Sequence, residues 1–104
     1  MSNTDKSSLS SDIDAWIGFA ATGNDWELEQ LRHLVGQQDT LGQTALMHYV
    51  RNGWYKRIYL FAGEVACRDV NGDDALAHAK RVHNEEAVHR IAILLKNAQK
   101  GKGH

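Results

Sequence analysis

The sequence predicts an all-α fold, a short solenoid of three antiparallel helix pairs in which the outer two pairs act as caps. An internal repeat, paired helix start and stop signals, and a recurring polar turn lead to this expectation. Residues Asp39–His48 read DTLGQTALMH and Asp69–His78 read DVNGDDALAH, an offset of 30 residues. Aligning 39–68 with 69–98 gives seven identical pairs, including Asp39/Asp69, Gly42/Gly72, Leu46/Leu76, His48/His78 and Arg51/Arg81. A period in this range marks a stack of one supersecondary unit, in which each copy buries its apolar face against its neighbours.

The elements follow in order. Residues 1–10 are Ser-rich and polar and read as a disordered leader. Ser11 is a suitable N-cap, with Asp12 and Asp14 in the first turn of a helix whose apolar segment Ile13–Ala21 ends at Gly23. Asn24 with Glu27 resembles a capping box, and Trp26, Leu28, Leu31, Leu34 and Val35 form the expected buried face of the next helix, closed by Gly36. In the second unit Thr44 caps Ala45–Asn52, Gly53 breaks the chain, and Trp54–Ala62 is the second helix with Ile58 and Phe61 inward. In the third, Asp73 or Asp74 caps Ala75–Val82, and Asn84 caps a helix to about Ala98 with Val88, Ile91, Leu94 and Leu95 on one face. Residues 99–104 read as a mobile tail. The repeat region thus spans 11–98, divided into 11–38, 39–68 and 69–98.

Both connectors, 36–43 and 63–72, contain Asp-x-x-Gly. The aspartate side chain can accept from backbone amides and glycine accepts positive φ, so each connector is a tight polar turn. The run D-x-x-G-x-T-A-L with glycine at position 53 resembles the ankyrin repeat, and Asp69, Gly72, Ala75, Leu76 and Ala79 match it again in register. The family's period is about 33 residues, longer than here, and its Thr-Pro-Leu start reads Thr44-Ala45-Leu46 and Asp74-Ala75-Leu76 in a chain without proline. Tyr49 replaces a small residue where first helices pack closely, and His83 stands where the second copy would have glycine. The resemblance implies a protein-binding module whose partner touches the turn tips and the exposed edge of the first helices. By position these are Thr40, Leu41, Gln43, Arg51 and Asn52, with Trp54 at the edge, then Val70, Asn71, Asp73, Arg81 and Val82.

Composition narrows the alternatives. The net charge of −1, with interspersed signs, supplies no basic field for nucleic acid. The aromatic and basic run Trp54-Tyr55-Lys56-Arg57 carries too little charge to change that. A single cysteine, Cys67, rules out an internal disulfide and fits a reducing compartment. With no apolar span, no membrane is expected as a partner, and a cytoplasmic protein is the expectation. His48 and His78 are expected on neighbouring helices about 10 Å apart, too far to share one zinc, and the other histidine spacings do not put two ligands on one helical face. DVNGDD lacks the ligand spacing of a calcium loop, so neither metal nor cofactor is expected. Arg68 could lower the Cys67 pKa, but no flanking motif makes it a nucleophile.

The function expected is therefore noncatalytic: a small inhibitor or adaptor, monomeric or homodimeric, that occupies the surface of another protein. One alternative is a self-assembling structural protein that pairs through Trp16 or the Leu94–Leu95 side. Another is an enzyme or ligand-binding protein that uses Cys67 and the histidines.

Overall fold

The structure, a computed structural model, describes the backbone of residues 4–102 and the side chains of residues 12–98. It is all-helical: α1 is Thr4–Thr22, α2 Asp25–Gln30, α3 Ala45–Arg51, α4 Ala75–Arg81 and α5 Glu85–Lys102. Two 3-10 segments, Arg32–Leu34 and Ile58–Glu64, complete the secondary structure. Among the described residues there is no strand, and Gln38 and Thr44 form an isolated antiparallel bridge. Helix α3 lies at the centre and packs against α1 on one side and α4 on the other; α5 covers α4 and the second 3-10 segment.

The 30-residue period reappears as hydrogen bonds. At Gly23, Gly53 and His83, φ is +70°, +89° and +59°. The amides of these residues donate to the carbonyls of Ala20, Val50 and Lys80. One residue on, Asn24, Trp54 and Asn84 donate to Phe19, Tyr49 and Ala79 at 3.0, 3.2 and 2.9 Å. This is the Schellman pair that ends a helix, made three times at one spacing. His83 adopts the left-handed conformation without being glycine, which costs about 1 kcal/mol or more. The helix starts are local as well: Thr44 Oγ1 accepts from Met47 N at 3.3 Å and Asp74 Oδ1 from Ala77 N at 2.9 Å.

Several expectations are corrected. Helix α1 begins at Thr4, so residues 4–10 of the expected leader are helical and Ser11 lies inside the helix rather than at its cap. Thr4–Ile17 contains no glycine or proline, serine costs only a few tenths of a kcal/mol per position, and extending a formed helix is cheap once it is nucleated. Residues 1–3 lie outside the described residues. Likewise α5 runs to Lys102, because 99 and 100 are good helix formers, and the rest of the expected tail, 103–104, lies outside the described residues. Asn24 makes no side-chain cap; its side-chain Nδ2 donates to Thr22 Oγ1, whereas the equivalent Asn84 Oδ1 accepts from Ala87 N.

The second helices of the first two units are shorter than expected. Helix α2 ends at Gln30, and residues 54–57 are not helical, with 54 and 55 irregular and 56 and 57 in a turn. The Ile58–Glu64 segment is kinked at Phe61. Leu28 and Leu34 are buried, but Trp26 is 68% exposed. Two residues along a helix correspond to about 200° of rotation, so Trp26 and Leu28 cannot share a face. Leu46 is fully buried, while its repeat equivalent Leu76 is only half-buried because α4 has just α5 beyond it.

The core is centred on Phe61, whose ring lies 5.2 Å from that of Trp16 and 5.0 Å from that of Tyr49, tilted against both. Beside it sits Glu64, fully buried. Its Oε2 accepts from Trp16 Nε1 at 3.1 Å and from Gly36 N at 2.8 Å, and its Oε1 accepts from Leu46 N at 2.9 Å. One carboxylate therefore ties α1, the connector after the first unit and the start of α3 together. Burial raises its pKa above the usual carboxylate value, against the lowering effect of these donors.

Candidate functional site

The two Asp-x-x-Gly turns form one continuous edge. Asp39 Oδ1 accepts from the amides of Leu41 and Gln43, each at 2.9 Å. Asp69 Oδ1 accepts from Asn71 and Asp73 at 2.9 and 3.0 Å. The turns are joined directly, because Val70 N donates to the Leu41 carbonyl at 3.0 Å. Gln38 Nε2 adds a bond to the Arg68 carbonyl at 3.0 Å. The approach is close enough that a Cβ at Gly42 would meet the Asp69 backbone at 3.0 Å. Leu41 and Val70, 56% and 68% exposed, therefore lie on adjacent turns with their apolar side chains in solvent.

Behind the turns, the other carboxylate oxygen of each aspartate faces a histidine on the following helix. Asp69 Oδ2 is 2.9 Å from His78 Nε2, and both side chains are buried. Asp39 Oδ2 is 3.4 Å from His48 Nε2 in a half-buried setting. Burial pushes the Asp69 carboxyl up, but hydrogen bonds from the Asp73 amide, the His78 ring and the Asn71 amide outweigh it and hold the pKa below the usual value. Burial, and next the Arg51 guanidinium, lower the pKa of His48.

Each arginine is held by the residue just after its turn glycine. Arg51 Nη1 donates to Gln43 Oε1 at 3.0 Å, and Arg81 Nη2 to Asp73 Oδ2 at 3.0 Å. Of the other residues expected at the interface, Thr40 and Asn71 are exposed on the same turns. Asn52 and Val82 are exposed at the ends of α3 and α4. Trp54 belongs to a different place. Its Nε1 donates to the Ala21 carbonyl at 3.0 Å and its ring covers Gly23, so it links two units and walls a cleft with Asp25, Tyr49 and Tyr55.

Asp69, Asp73 and His78 place ligand atoms within 4.8 Å of one another, a grouping hidden in sequence because the histidine comes from the next helix. Each is already engaged: Asp69 with His78 and two amides, Asp73 with Arg81. A cation there would displace this internal pairing. The Cys67 thiol is pushed up by burial and then by the charge of Glu64, the reverse of the lowering expected from Arg68. Trp16 is fully buried, so pairing through its side chain, one expected route to self-assembly, is closed.

Residues that sequence reasoning missed include Glu64 and a polar cluster centred on Arg57 against α2. In that cluster Arg57 reaches Asp25 at 3.5 Å and Glu29 at 3.2 Å, and it donates to the Tyr59 hydroxyl at 2.7 Å. Tyr49 fills the close helix contact with its hydroxyl accepting from Arg57 N at 2.9 Å, and burial pushes its pKa up to about 12. Among the described residues no helix is long and apolar enough to cross a membrane. Comparison with protein-family models, with curated proteins and with solved structures finds no match to this chain.

Proposed function

We propose that this chain is an ankyrin-like stack that works as a noncatalytic protein-binding module, an inhibitor or adaptor occupying the surface of one partner protein. The observation that carries this reading is the joined turn edge. Two apolar side chains, Leu41 and Val70, stand exposed on turns that are fixed by their own aspartates and bonded to each other. Arg51 and Arg81, each anchored through its own turn, flank them. Apolar groups and arginines on a rigid base dock with little loss of side-chain and loop entropy. The recurrence of turn, cap and Schellman bonds at one spacing supports the stacked-repeat reading.

The test compares proteins captured from the source cell by the wild-type chain and by the double variant Leu41→Glu, Val70→Glu. Both positions are exposed, so circular dichroism and urea melts should change little, within about 0.5 kcal/mol per site. A protein captured in near-stoichiometric amount by the wild type should be lost from the double variant and retained by Cys67→Ser. Equal capture by the double variant, or loss of capture with Cys67→Ser alone, would overturn the reading.

A further inference from the structure

The two arginines of the edge are not held alike. Arg81 reaches Asp73, a carboxylate, and the Nδ1 of the nearby His78 is buried with no partner. Arg51 instead lies between two neutral acceptors: Nη1 donates to Gln43 Oε1 and Nη2 is 3.0 Å from His48 Nδ1. A guanidinium nitrogen can only donate, so His48 Nδ1 must present a lone pair. Its ring proton is then on Nε2, which faces Asp39 Oδ2 at 3.4 Å. The chain Asp39–His48–Arg51–Gln43 is satisfied only while the imidazole is neutral.

We propose that His48 is a positioning residue, which in its neutral form clamps the Arg51 guanidinium at the docking edge and releases it when Nδ1 takes up a proton. The proposal deepens the docking reading and rests on it, since a fixed cation matters there only if a partner docks. Protonation would set an N–H against the Arg51 N–H groups and place two cations side by side. Charged and titratable groups facing His48 are Asp39 from the turn, Arg51 from α3 itself and His78 from α4. Asp39 favours the protonated ring; Arg51, His78 and burial oppose it. The balance puts release below the ordinary value of 6.5. Arg81 has no contact with a histidine nitrogen and serves as the internal control.

The clamp can be read in the free, full chain by nitrogen-15 NMR, titrating from about pH 7.5 to about pH 5 across the ordinary histidine range. At the upper end His48 should be the Nε2–H tautomer, and the Arg51 guanidinium should give resolved, slowly exchanging signals. These signals should be lost with the same midpoint as the His48 ring titration, while those of Arg81 persist. His48→Ala should lose them at every pH. His48→Gln, whose amide oxygen can accept but does not titrate, should keep them throughout. An Nδ1–H tautomer at neutral pH, or Arg51 signals indifferent to the His48 titration, would overturn the clamp. If the titration behaves as stated but Arg51→Glu leaves partner capture intact, the clamp stands and the docking role of Arg51 falls.

Discussion

Replacing Glu64 with alanine should destabilise the protein by about 3 kcal/mol at neutral pH, measured by urea unfolding followed by circular dichroism. The carboxylate accepts from Trp16 Nε1, Gly36 N and Leu46 N in a buried site, and alanine leaves these donors without acceptors. A buried unsatisfied donor costs about 1–3 kcal/mol, partly offset here because a buried acid no longer has to be accommodated. Against a total stability of about 5–15 kcal/mol the loss is large. Glu64→Gln should also destabilise, since one of its two faces becomes an NH2 aimed at a donor. The pH dependence follows from the direction of the shift. Because burial raises the folded pKa, the protonation-linked part of Glu64's contribution is full below its ordinary value of 4.5 and is lost as pH rises through the folded value, while the bonds it accepts persist at neutral pH. That component of the pH profile should vanish in both variants. A glutamine variant as stable as the wild type would show that the carboxylate does not join the three segments.

Phe61→Ala should cost about 3–5 kcal/mol, the usual loss for a large buried aromatic. Phe61 is fully buried between the rings of Trp16 and Tyr49, so the cavity opens where α1, α3 and the second 3-10 segment meet. Phe61→Leu keeps most of the volume and should lose much less, about 1–2 kcal/mol. Urea midpoints for the pair separate lost packing from a general intolerance of change. Equal small losses in both would place Phe61 outside the core.

What the sequence makes legible is local. Asp39, Asp69, Thr44 and Asp74 each bond amides within four residues, so side-chain chemistry and spacing suffice to place the turns and the caps. The left-handed positions 23, 53 and 83 follow from the repeat even where glycine is replaced by histidine. Glu64 was not legible, because its donors lie 48, 28 and 18 residues away and a glutamate beside a glycine reads as a solvated helix end. Trp26 is apolar, yet it lies two residues and about 200° around the helix from buried Leu28, so its ring is exposed. Of the edge itself, Leu41, Val70, Arg51 and Arg81 were visible by register. The bond from Val70 to Leu41 and the different anchoring of the two arginines depend on how adjacent turns and helices meet, which no local pattern records.

The most direct test of the docking account is amide hydrogen exchange of the chain alone and saturated with the captured partner. Protection gained on binding should map to residues 39–43 and 69–73 and to the C-terminal ends of α3 and α4, with α5 unchanged. Protection confined to α5, or to the segment around Trp26 and Tyr59, would contradict it.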